Sequence, residues 1–170
     1  MAGRIKPEEL EVGDNLEVVY IGGQKRYFTI TAIDDIFYRD EHSSLSAGST
    51  ESYTEISELD PPSGQLYWIG RIETECNVKI YIKQPAATNR FGTNKAPEGG
   101  LLIIDATPIM GGRTVNIWIA EDYPPNVQLV NDTNVSITPV LWWIGKRFAV
   151  VELKQKPAVY KTVKVGGLTE

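Results

Sequence analysis

Few side chains in this sequence have the chemistry of a catalyst, and their spacing limits what they can do. The single histidine, His42, lies in a serine-rich stretch. Histidine triads and zinc or cupin-type metal centres need an imidazole combined with a nucleophile or with further ligands, and no such constellation surrounds His42. Those classes drop out. The glycine pairs Gly22-Gly23, Gly99-Gly100, Gly111-Gly112 and Gly166-Gly167 are followed by neither a Walker-type Lys-Ser/Thr nor a helix, so they read as turns and not as phosphate cradles. Asp105 ends the run Leu102-Ile103-Ile104 but lacks the Asp-Thr/Ser-Gly order of an aspartic protease. The carboxylate pairs Glu73 with Glu75 and Glu8 with Glu9 have no neighbours that would drive their pKa values apart, and are expected to be solvated charges. No catalytic residue, metal ligand or cofactor is therefore expected, and the chain is expected not to be an enzyme.

Other groups could bind without reacting. Tyr67, Trp68, Trp118, Trp142 and Trp143 could stack on sugar rings or on a protein partner. Adjacent residues on a strand face opposite ways, so one of Trp142 and Trp143 should be partly exposed and both are interface candidates. Cys76 is the only cysteine, which excludes a disulfide-built scaffold; its alternating surroundings predict a half-buried strand position. The sequons at Asn131 and Asn134 matter only in a secreted protein, and the opening residues lack the apolar core of a signal peptide.

Strands must position all of these. Short runs rich in Val, Ile, Thr, Tyr, Phe and Trp recur between Gly, Pro, Asn and Asp clusters, while helix signals are nearly absent. Residues 16–21 and 26–33 predict a hairpin about Gly22-Gly23. Residues 40–64 are polar and predict a loop with one short strand at 53–56. Strands are predicted at 65–72 and 75–83, with a second long loop at 84–100. Leu101 to Asp105 reads as a central strand covered on both faces. In 114–120, Val115, Ile117 and Ile119 alternate against Thr114, Asn116 and Trp118. Further strands are predicted at 127–130, 135–137, 140–144, 147–153 and 159–165. Tyr67-Trp68-Ile69-Gly70-Arg71 is echoed by Trp142-Trp143-Ile144-Gly145-Lys146, read as a shared device in which glycine starts a turn.

Roughly ten to twelve short strands exceed what one open sheet carries without folding over, so a jelly-roll-type β-sandwich or barrel is expected. The plan is an N-terminal arm over 1–14, one β domain over 15–155, and a C-terminal strand arm with a flexible tail over 156–170. Apolar residues at 42% and charged residues at 23% suit a globular domain, and a net charge of −5 without a basic stripe argues against specific nucleic-acid binding. The longest apolar runs are far short of the roughly 20 residues that span a bilayer.

Many short strands, two long loops, the turns Tyr123-Pro124-Pro125-Asn126 and Asn131-Asp132-Thr133-Asn134, and the strand-like C-terminal arm resemble a single jelly-roll viral coat protein. Size and plan are similar to the small major capsid protein of the internal-membrane icosahedral phages of Thermus and of haloarchaeal virus relatives; the modest charge departs from the acidic haloarchaeal members and favours the thermophilic-phage side. The resemblance covers roughly residues 15–165 and has no diagnostic motif, so it assigns no functional residue. It implies a structural virion subunit in the capsid, made in the host cytoplasm, assembling with itself and other capsid proteins through sheet edges, loops and arms, over an underlying virion membrane. A phage decoration, head-fibre or tail protein, and a carbohydrate-binding β-sandwich module, are the alternatives.

The arm suggests how copies would join. Pro157 breaks the chain before Val159 to Val165, and a strand that leaves its barrel must find an edge. A homodimer by arm exchange is expected, with Val159, Tyr160, Val163 and Val165 as interface candidates; the alternative is an arm that pairs within its own subunit, since periodicity does not say which copy supplies the edge.

Overall fold

The computed structural model describes residues 6–20, 23–83, 101–105 and 112–165. These form an all-β, jelly-roll-type sandwich of two sheets in which one sheet nearly closes on itself. The strands are β1 (Asn15–Val19), β2 (Lys25–Glu41), β3 (Thr54–Glu55), β4 (Gln65–Thr74), β5 (Lys79–Lys83), β6 (Leu101–Asp105), β7 (Gly112–Ala120), β8 (Asn126–Val130), β9 (Val140–Glu152) and β10 (Lys161–Lys164). Helical turns among the described residues are two 3-10 pieces, Pro7–Glu9 and Ser57–Leu59.

The larger sheet has the order β10-β1-β2-β9-β4-β7, and the smaller β3-β8-β5-β6. A parallel bridge from Trp118 to Val165 brings β7 back to the end of β10, so one half of the large sheet curls into a barrel. The other half, made from the far ends of β2, β9, β4 and β7, extends beyond the barrel as a blade backed by the small sheet.

This plan creates two cores and explains the unbroken apolar runs. Leu66 and Trp68 point into the barrel while Tyr67 and Ile69, one residue over, point toward the small sheet. On β7, Trp118 and Ala120 line the barrel, and Ile117 and Ile119 line the sandwich. A strand apolar on consecutive residues is therefore buried on both faces. Trp118, expected opposite the apolar positions, is core on the second of those faces and only 4% exposed.

β9 changes its covered face along its length. Leu141 and Trp143 face the small sheet, whereas Phe148 and Val150 face the barrel. Its turn-like Gly145-Lys146 lies inside the strand, in contrast to the break expected there. Gly145 is opposite Ile69, next to a bulge on β4 at Gly70, so the two echoed motifs lie side by side on neighbouring strands. A Cβ at Gly145 would run into the Trp68 carbonyl oxygen, which is why the crossing requires glycine. The echo is a strand crossing, not a strand-to-turn device.

Several expected elements lie elsewhere. β2 runs on past Ile33 to Glu41, because after a bulge at Ile30/Ala32 its pairing with β9 continues to Glu41↔Val140. Leu101–Asp105 is the edge strand of the small sheet, not a central one. Cys76 is in the turn between β4 and β5, half-buried, with its thiol donating to the Thr138 carbonyl. Residues 135–137 form no strand, only a bridge from Ile137 to Leu45.

The 42–64 connection, predicted as a polar loop, is anchored by buried Leu45, Ile56 and Leu59. Asn131, fully buried, fixes it further. Its amide donates to the carbonyls of Leu45, Ser46 and Val135, and its oxygen accepts from the Thr133 amide and hydroxyl. The loop 84–100 lies outside the described residues.

Candidate interaction face

Where the blade leaves the barrel, the face that lined the lumen comes into the open. Register places Phe37, Ile144 and Arg71 in one row across β2, β9 and β4, and Arg39, Trp142 and Glu73 in the next. The same face of these strands carries Ile33, Phe148 and Leu66 inside the barrel. Strand alternation alone thus delivers an aromatic surface to solvent, because the barrel wall of β1 and β10 ends before reaching it.

The centre of this face is apolar and its border charged. Phe37 is 67% exposed and its ring centroid lies 5.0 Å from that of Trp142. Arg39 stands over the Trp142 ring at 5.9 Å, and the indole N–H donates to Glu75 Oε1 at 3.2 Å. Around them run the ion pairs Arg39–Glu41, Arg71–Glu73 and Lys146–Asp35. These pairs are exposed, so water and salt screen each of them and they are worth little individually. Together they border the face with alternating charge.

The reverse side of the blade holds a buried charge cluster. Directly after β2, His42 donates from Nε2 to Asp40 Oδ2 at 2.8 Å and from Nδ1 to Glu51 Oε1 at 3.0 Å. The Trp143 indole N–H also donates to Asp40 Oδ2. Burial opposes charge on the imidazole, but the hydrogen bonds to two carboxylates outweigh it and His42 is pushed up to about 9. A doubly donating imidazolium has no lone pair for a metal or for taking a proton. It ties β2 to the 42–64 connection.

At the opposite end of the molecule the barrel mouth forms a cavity of about 410 Å³ between β1, β2, β4 and the β7–β8 turn. Arg26 spans it, donating twice to Glu152 at 2.6 and 2.7 Å and covering the Tyr20 and Phe28 rings. Tyr123 packs against Tyr20 on the rim, and the Gln65 side-chain oxygen is buried there without a partner among the described residues.

The residues singled out from sequence are scattered by the fold. Trp142 is half-exposed on the open face, and Trp143 is fully buried in the sandwich core. Val163 and Val165 are 3% exposed inside the barrel of their own chain, where β10 pairs in parallel with β1. Val159 is 81% exposed and Tyr160 packs edge-on against Tyr27. Glu73 is paired with Arg71, Glu75 accepts from Trp142, and Asp105 ends the edge strand β6.

The chain matches no protein family, no curated protein and no solved structure.

Phe37, Arg39 and Ile144 went unnoticed in the sequence. The available signal was an alternation, Ile33, Asp35, Phe37, Arg39, running on beyond Ile33.

Proposed function

We propose that this chain is a non-catalytic structural subunit of a virion shell that assembles through the exposed part of its large sheet. The observation that supports this reading is the blade. It is a paired extension of the sheet with one face carrying Phe37, Trp142 and Ile144 to solvent and its β2 edge unpaired beyond Ile30 among the described residues. An aromatic centre with a charged border is the make-up of a protein interface, and a free strand edge is a template for another strand.

Arm exchange is the second route to association, since β10 follows a solvent-exposed connection and would meet the same barrel seat in a neighbour. Cutting the chain after Lys154 tests the arm: association retained by a truncated chain that still melts cooperatively points to the blade. Shell partners and an underlying membrane belong to the same proposal. The pair of rings Phe37 and Trp142 also favours a carbohydrate-binding reading, which a glycan array tests directly.

The main test is mass spectrometry of purified virus particles from the culture that carries the gene, joined to negative-stain imaging of the purified chain. Recovery of this chain at shell stoichiometry, with ordered particles or rings on concentration, is the expected result. A chain absent from particles and dispersed as single copies at every concentration would overturn the proposal.

A further inference from the structure

We infer that two copies of this chain join edge to edge along β2, antiparallel, about a twofold axis through Phe37, so that their large sheets become one. The inference rests on reading the blade as an assembly surface and names its first contact.

The edge is available. β1 pairs with β2 only as far as Asn15↔Thr29, and the last backbone bonds on that side are the two between Ile30 and residues 13 and 14. From Ala32 to Glu41 the described residues place only β9 beside β2. Ten residues at about 3.3 Å each leave an open row of backbone donors and acceptors on the order of 33 Å long.

Natural sheet edges are blunted by proline, charged side chains (lysine above all), bulges or very short strands. Of these protections the edge has only charges, Asp34, Asp35, Arg39, Asp40 and Glu41. Between Ala32 and Glu41 there is no proline, no glycine and no lysine, and the bulge comes earlier, where β1 ends. The exposed ring of Phe37 sits at the middle of this stretch.

Charge selects both the partner and the register. In an antiparallel sheet, directly opposed residues share a face, so a twofold axis normal to the sheet sets each residue against the one equally far beyond the axis. With the axis at Phe37, Asp35 of each copy meets Arg39 of the other, twice, and the two Phe37 rings meet between them. An axis at Asp35 or Arg39 sets like charges together. One at Ile36 sets Asp35 against Phe37, and one at Tyr38 sets Asp35 against Glu41. Among these five positions, only Phe37 pairs acid with base within Ala32 to Glu41. On the opposite face Ile36 meets Tyr38, and Asp34 meets Asp40, whose charge is already held by His42. The order acid, aromatic, base at alternate positions makes β2 complementary to itself, which points to a second copy and not to an unrelated strand.

Charge exchange tests it in the full chain. Molar mass by light scattering across a dilution series is expected to show a dimer for the parent, with Arg39→Asp or Asp35→Arg each weakening it at least about tenfold by opposing like charges. The double variant, Asp35→Arg with Arg39→Asp, is expected to recover dimerisation to within a few-fold, and thermal melting of the dilute proteins checks that all four fold. Oxidised Phe37→Cys is expected to form a covalent dimer through position 37. A parent that is monomeric at all concentrations overturns the inference. So does a dimer that ignores both single changes or is not restored by the double change. A particle that assembles despite this failure would leave the structural-subunit reading standing, whereas absence from particles would remove that reading whatever β2 does.

Discussion

The barrel end and the blade end of the large sheet are built from the same strands but resolve burial in opposite ways. In the barrel, Phe148, Leu66 and Trp118 point inward and are covered by β1 and β10, while Arg147 and Val151 on the other side face water. In the blade, Trp143 and Leu141 are covered by the small sheet, and Trp142, Ile144 and Phe37 on the former lumen side are left open. A single strand can thus serve two cores if the covering layers sit on opposite faces at its two ends. The lesson is that the apolar face at the blade is not a failed core. It continues a core face that no described strand covers.

The seam between the two ends carries the largest expected effect. Gly145→Val places a branched side chain against the Trp68 backbone, where no rotamer relieves the clash, and is expected to destabilise by about 3 kcal/mol or more. Loss of the cooperative urea transition in circular dichroism checks it; a parent-like midpoint would show that the crossing is looser than described. Next in size, Phe148→Ala removes a fully buried ring from the barrel and is expected to cost about 3–5 kcal/mol by the same measurement.

A pH titration probes the blade's covered side. His42 has its folded pKa raised from 6.5 to about 9, so its contribution is complete below pH 6.5 and is lost as the pH rises through 9. At full strength it is on the order of 3 kcal/mol. Urea midpoints should hold steady below about pH 6 and fall between pH 6.5 and 9, and His42→Gln should flatten that fall. An unchanged slope in the variant would assign the effect to other groups. Smallest of all, Phe37→Ala in dilute solution should change stability by less than about 0.5 kcal/mol, since the ring is exposed. A loss as large as that of Phe148→Ala would mean that the open face is covered within one chain.

Most strands were legible because alternation and turn residues mark them; β1, β4, β7 and β8 fall close to their predicted places. The predicted strand stops at Ile33 because the pair Asp34-Asp35 interrupts its alternation, yet both aspartates lie on a blade strand that β9 holds in place. β9 was split at Gly145-Lys146 because glycine signals a turn more often than a close backbone crossing. The buried His42 cluster was hidden for a different reason. Its carboxylates, Asp40 and Glu51, are close in sequence, but nothing local announces that Trp143 and a folded-over loop will exclude water from them. The interaction face was half visible: the Trp142-Trp143 doublet shows that one ring must turn outward, but only pairing across β2 and β9 brings Phe37 beside it.

The parallel pairing of β1 with β10 also sets an order of events during synthesis. Leu16 and Val18 leave the ribosome before the other strands, but their neighbours Lys161 and Val163 only after them, so the barrel cannot seal until nearly all the described strands have emerged. Strands β2, β4, β7 and β9, with the small sheet, can pair before then. Folding therefore ends at the lumen, with slow closure of a long loop as its last step, and a chain stalled late in translation would expose a half-built barrel beside a finished blade.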